Sequence, residues 1–242
     1  MFVDMETTKK LYDKWVNDVM AWADYIGPQV NKPLATVQAK PFFDHQSEIL
    51  FLGINPAEDG CYRKEDRDYY IKRFYEGNAP ENWAAGGRGG QKRWDWLFHP
   101  ERPGNAFSKV GWGDAVTPGN YLFFNILFFT TLHGGTDFGF HEVKEQCATF
   151  MAEAVTQVFR PKCVICFSVN KVFYPLGGKV HFDHVSRLPV TLPDGKPCRF
   201  RVMRGENDGI VYYGIPHLSA AVGLSKVAFE SIIAAVHKDF KG

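Results

Sequence analysis

Apolar residues recur along this chain at helical spacing in some stretches and as short unbroken runs in others. Leu11, Trp15, Val19 and Trp22 stand three or four apart. That spacing predicts a first helix capped at Thr7 or Thr8 and stopped by Gly27-Pro28. His141 to Phe159 repeats the pattern, with Val143, Cys147, Met151, Ala154 and Val158 on one stripe and Pro161 as the stop. Leu224, Val227, Ala228, Ile232, Ala235 and Val236 predict a C-terminal helix. The runs Glu48–Ile54, Tyr121–Phe129, Cys163–Phe167 and Val211–Ile215 are too short for helices and read as strands buried on both faces. Lys171–Leu176 predicts a short helix ended by Gly177-Gly178. Phe182 to Met203 predicts extended segments joined by a Pro193-Asp194-Gly195 turn.

Buried strands that alternate with helices argue for an α/β fold around a largely parallel sheet. The chain reads as one domain over residues 1–242, with a long irregular insertion at about 57–120. In such sheets ligands bind beyond the carboxyl ends of the strands. Three of those ends carry polar residues: Asn55, Asn125 and His217.

Composition narrows the function. The chain is 45% hydrophobic with a net charge of +1, so it can bury a core and does not bind by bulk charge. The charge is uneven. From Arg160 to Arg204 lie nine basic residues (Arg160, Lys162, Lys171, Lys179, Arg187, Lys196, Arg199, Arg201 and Arg204) against the acids Asp183 and Asp194, which predicts a basic face. The five cysteines are odd in number, and the polar N-terminus has no apolar signal region, so a reducing, cytoplasmic setting is expected. Cys163 and Cys166 sit inside an apolar strand and read as buried thiols. His181 and His184 read as incidental loop histidines, so no metal and no cofactor is expected. No apolar run is long enough to span a bilayer.

Each strand end has a chemical reading. Gly53 lets the chain turn and a ligand approach the backbone, and Pro56 holds Asn55 out of helical geometry at the lip of the sheet. The amide of Asn55 can position a water or serve an ordinary turn. Asn125, inside an apolar run, either satisfies backbone groups or faces a planar polar ligand. His217 can donate to a developing anion, and Ser219 to a phosphate.

Gly53-Ile54-Asn55-Pro56 resembles the first motif of the uracil-DNA glycosylase superfamily, in the branches with G-I-N-P or G-M-N-P, the mismatch-specific or single-strand-selective types. Asn125 is similar in order and setting to that family's base-reading Asn, and His217-Leu218-Ser219 resembles its H-P-S motif. The resemblance covers most of residues 48–240. It implies a three-layer sandwich around a central, mainly parallel four-stranded sheet. It also implies hydrolysis of the N-glycosidic bond of uracil or a related damaged pyrimidine in DNA, with no cofactor. Asn55 and His217 are then catalytic. Gly53, Ile54, Pro56, Ala57, Asn125 and Ser219 line the substrate, and Tyr69, Tyr70 and Phe74 compete to stack on the base. Arg88, Lys92 and Arg93, beside Gly86–Gly90, touch the DNA backbone. The sequence departs from the family at Leu218, where Pro is usual, and at Ala57, where Gly or Tyr is common. A monomer acting on single- or double-stranded DNA is expected. The alternatives are a non-catalytic nucleic-acid binder of the same fold and a hydrolase of free nucleosides or nucleotides.

Overall fold

The computed structural model describes residues 5–54, 60–77, 97–101, 104–130, 141–218 and 223–242. Asn55, Pro56, Ala57, Arg88, Lys92, Arg93 and Ser219 lie outside the described residues. Helix α1 spans Met5–Val30, α2 Arg67–Glu76, α3 Ala106–Lys109, α4 His141–Glu153, α5 Tyr174–Val180 and α6 Lys226–Lys241. The strands are β1 Ile49–Gly53, β2 Tyr121–Asn125, β3 Cys163–Phe167, β4 His184–Arg187, β5 Met203–Asn207 and β6 Ile210–Ile215.

The sheet has six strands in the order β2-β1-β3-β6-β5-β4. The expected parallel four-stranded sheet is thus corrected to a mixed one. β2, β1, β3 and β6 are parallel, and β5 and β4 extend them as antiparallel strands. The missed element is β5. Its signal was Asp208-Gly209, whose φ values of 49° and 76° make the tight turn into β6. On the other side, β2 is covered rather than left open. Leu34 and Val37 bridge antiparallel to Phe129 and Phe124.

Alternation along the strands divides the core into two layers. Leu50, Leu52, Leu122, Phe124, Val164, Cys166 and Tyr212 face α1, α4 and α5. Ile49, Phe51, Tyr121, Phe123, Cys163, Ile165 and Tyr213 face α3 and α6. Cys163 and Cys166 therefore point to opposite faces. Burial pushes the Cys163 thiol well above its ordinary value, as it does that of Cys166, so neither is a redox or metal-binding thiolate. All five cysteines are free.

Several boundaries move for local reasons. α1 runs through Gly27-Pro28 because the proline falls in the last turn and forfeits only one hydrogen bond. Gly27 is a packing gap: a Cβ there would lie 2.5 Å from the Tyr62 ring. The helix ends at Asn31, φ 52°. α5 runs through Gly177-Gly178 for a similar reason, since the Phe182 ring occupies the space of a Gly177 side chain. β2 stops at Asn125 instead of reaching Phe129, because Ile126 and Leu127 turn to donate to the carbonyls of Gly53 and Ile54. The stripe of α4 is buried as its spacing predicted, but its last turn, Ala154–Phe159, widens into a π-helix. Leu224 precedes α6, which Ser225 caps, and Val227 is exposed. Among the described residues no helix is long and apolar enough to cross a membrane.

Candidate functional site

The four parallel strands end together. Gly53 pairs with Asn125, Leu52 with Cys166, and Phe167 with Ile215. Continuing the register by one residue puts Asn125, Gly53, Phe167 and Ile215 in a single row. All four point to the α3–α6 face by alternation. β1 and β3 are neighbours whose outgoing chains leave in opposite directions, to β2 on one side and to β4 on the other. A crevice for ligands forms at such a divergence.

Asn125 is 5% exposed. Its main chain is held on both sides: its N–H donates to the Thr36 carbonyl at 2.8 Å, and the Thr36 hydroxyl donates to its carbonyl at 2.7 Å. Its side-chain amide has no hydrogen-bond partner among the described residues. The amide lies over Gly53, where a Cβ would come 2.2 Å from its Oδ1 and 3.3 Å from the Phe123 ring. Gly53 is therefore glycine for room and not for a turn, and Asn125 takes the room. The amide is thereby held where a ligand or water can meet it.

A second such group escaped the sequence reading. Gln38, 2% exposed, has a side-chain Nε2 with no partner. Its N–H donates to the Phe123 carbonyl, so it stands beside β2 opposite a residue two positions from Asn125. Gln38 lies in a short stretch with no periodicity, so nothing in the pattern marked it.

His217 follows β6 by two residues and is part-buried. Burial, reinforced by the Lys171 charge, lowers its pKa to about 4. The imidazole is therefore neutral at pH 7 and can donate only one N–H. Lys171 belongs to the π-helical turn Val169–Phe173 after β3. That turn starts at Ser168, whose φ of 147° is rare for a residue with a side chain. His217 and Asn125 stand at the same edge but do not touch. Three strand spacings of about 4.8 Å separate their strands, about 14 Å in all.

The three aromatic candidates separate. Tyr70 and Phe74 are each 3% exposed. Tyr70 stacks on Tyr62 at 5.2 Å, and Phe74 meets Trp15 edge-on at 5.7 Å. Tyr69 is 57% exposed. Leu218 is buried in the second core, so it does not project as a wedge. Ile54 is buried in the first. The basic stretch does not form one face. Arg160 pairs with Asp208, Lys179 with Glu145, Lys196 with Asp194, and Arg204 with Asp239 and Glu206. Lys171 stays near His217, and Arg201 donates to Asn170 of the Val169–Phe173 turn at 2.7 Å. Among the described residues no group of three His, Cys, Asp or Glu side chains is placed to hold a metal ion.

No protein-family model matches the chain, and no curated protein matches it.

Proposed function

We propose that the protein is a DNA glycosylase that hydrolyses the N-glycosidic bond of uracil or a related damaged pyrimidine. The observation that carries this reading is the side-chain amide of Asn125, set over Gly53 at the ends of the parallel strands. A primary amide offers a donor and an acceptor side by side, which matches the alternating acceptor and donor edge of a pyrimidine. The target nucleotide has to leave the base stack to reach such a crevice, at a cost of a few kcal/mol.

In the reaction, water adds its oxygen to C1′ of the sugar as the bond from C1′ to the base nitrogen breaks. The electron pair of that bond goes to the base, and the proton of the water is finally taken up by the base or the solvent. His217, across the ends of β1 and β3 from Asn125, donates its N–H to the base oxygen that gains charge. A neutral imidazole suits this role, because it stabilises the anion without protonating it. The Lys171 charge beside it favours the same anion. Asn55 orients the water. An amide is no base at neutral pH, so the chemistry is slow compared with a carboxylate-assisted enzyme.

The test uses uracil-containing oligonucleotides, single- and double-stranded, scored for alkali-labile abasic sites. Product is expected from the wild type and in far smaller yield from Asn55→Ala and His217→Ala of unchanged circular dichroism. The reading fails if no oligonucleotide yields product, or if both variants match the wild type. Turnover of free nucleosides with no product from DNA decides for the nucleoside-hydrolase alternative.

A further inference from the structure

β4 and β5 are the strands by which the sheet exceeds the four that the resemblance implies, and the chain between them forms an arm. They pair from His184 opposite Glu206 to Arg187 opposite Met203, and Met203 pairs with Gly214 near the end of β6. Their link, Leu188 to Val202, therefore leaves the sheet at its carboxyl edge. The link stays a ribbon. Leu188 donates to the Val202 carbonyl, Cys198 to that of Val190 and Leu192 to that of Lys196, and Gly195 closes the tip on Leu192. Val190, Cys198 and Val202 are buried in the second core, on the side to which Asn125 and its row point. Arg199 and Arg201 stand between Cys198 and Val202 and are exposed. Burial of one face of the arm thus turns both guanidiniums outward.

Each arginine is set against a loop of the carboxyl edge. Arg201 donates to the Asn170 side chain at 2.7 Å, in the turn that also carries Lys171, and its guanidinium lies 5.6 Å from the centre of the Tyr174 ring. Arg199 occupies the space of a Gly223 side chain, on the chain that runs from His217 to α6, and lies 4.8 Å from the centre of the Phe200 ring. Lys171 bears on His217, whose pKa its charge helps to lower. Among the described residues no ion pair joins Lys171 or Arg201 to a carboxylate, whereas Lys196 at the tip of the arm is paired with Asp194 and Arg204 below it with Asp239 and Glu206.

We infer that the arm is a grip for the phosphate backbone of DNA, with Arg199 and Arg201 as its contacts and Lys171 continuing the positive strip towards His217. The inference rests on the reading of the strand-end crevice as a nucleobase site and adds the surface that holds the rest of the substrate. A base drawn into the crevice leaves the neighbouring phosphates outside, where fixed cations can meet them. A guanidinium suits this contact, because its fork matches a phosphate and it is always charged. The Asn170 bond and the two ring contacts orient the forks before binding, which limits the entropy lost. The arginines are two residues apart, so their Cα atoms lie within about 7 Å and both reach one strand. Phosphates face solvent in paired and unpaired strands alike, so the grip serves either.

The experiment measures binding of a fluorescent oligonucleotide of mixed sequence and about 16 nucleotides, the upper end of single-strand site sizes, alone and paired with its complement. Salt is varied between about 50 and 200 mM. Arg199→Gln and Arg201→Gln remove the charge and keep a side chain that can hydrogen-bond. Each should weaken both probes about tenfold, the order of one charge-assisted hydrogen bond. Each should also lower the slope of log affinity against log salt by about one, and the double variant by about two. Arg199→Lys with Arg201→Lys should keep most of the slope, because the slope counts charges. Lys162→Gln, at an exposed cation of the amino edge, should bind within about twofold of the wild type. No binding of either probe by the wild type, an unchanged slope in the double variant, or an equal loss in Lys162→Gln overturns the inference. Base release by the wild type, with DNA binding that the double variant leaves unaltered, overturns it while leaving the glycosylase reading intact. Arginine-dependent binding without base release from any oligonucleotide does the reverse.

Discussion

The two edges of the sheet treat polar side chains in opposite ways. At the amino edge most are paired, the buried Tyr212 hydroxyl being an exception. The Glu48 carboxylate accepts from Trp112 Nε1 at 2.9 Å and from the Lys241 ammonium. The Gln46 amide donates to the Arg160 carbonyl, the Ser47 hydroxyl donates to the Ile49 carbonyl, and Arg160 pairs with Asp208. Towards the carboxyl edge the Gln38 Nε2 has no partner among the described residues, His217 is kept neutral, and Ser168 holds a strained φ. Folding alone favours the first arrangement, because an unmet polar group is a loss. The second persists where a ligand completes it. Paired polar groups and the proposed site thus lie at opposite ends of the same strands.

That contrast predicts variants that lose activity at one edge and stability at the other. The largest effect is expected for His217→Ala, which should slow base release about 10²- to 10³-fold, the usual result of removing one donor to a developing anion. Its melting temperature should fall by no more than about 2–4 °C, as for a loss near 1 kcal/mol in a chain of this size.

Acid should reach the same residue next. His217 titrates near 4 when folded and near 6.5 when unfolded. Between those values the unfolded chain takes up a proton that the folded one refuses, so stability falls as pH drops from 6.5 towards 4. The slope from this group is at most about 1.4 kcal/mol per pH unit. Urea titrations at pH 7 and 4.5 should show a larger loss in the wild type than in His217→Ala. An acid limb of activity near pH 6.5 would contradict the neutral imidazole.

Gly53→Ala comes third. Its Cβ collides with the Asn125 amide, and overpacking of this kind costs about 1–3 kcal/mol. Calorimetry should show that loss, and KM for uracil-containing strands should rise because the reading amide is displaced.

Glu48→Ala is the counterpart at the amino edge. Burial works against the Glu48 carboxylate, yet Lys241 and Trp112 together hold its pKa below the ordinary value. Its contribution is therefore present above the usual carboxylate range and lost as pH falls through the lowered pKa. The variant should lose about 1–2 kcal/mol at pH 7, with base release at moderate temperature unchanged. Asp208→Asn, which breaks only an exposed pair, should move stability by less than about 0.5 kcal/mol and activity not at all.

Much of this was legible before any coordinates. Unbroken apolar runs marked the parallel strands, because a strand covered on both faces has no polar side to show. Gly53 and Asn125 stood out as a gap and a polar group in such runs, and the register makes them neighbours. β5 was missed because Met-Arg-Gly-Glu-Asn carries no apolar alternation, its polar residues being supported by the ion pairs of Arg204. Helix ends misled at Gly27 and Gly177, where a missing side chain makes room for a distant ring and local propensity yields to packing. Acids nearby in space or sequence pair with four of the basic residues from Arg160 to Arg204, and charge counted along a chain does not say which acids lie nearby. Gln38 was invisible because its significance is the absence of a partner.

The clamp between Thr36 and Asn125 ties the main chain of Asn125 to the chain that leaves α1. The first forty residues are therefore no passive appendage. They carry the buried face of α1, with Tyr12, Trp15, Val19 and Met20 in the core, as well as the backbone that steadies the Asn125 main chain, so a shortened protein would lose packing and that support together.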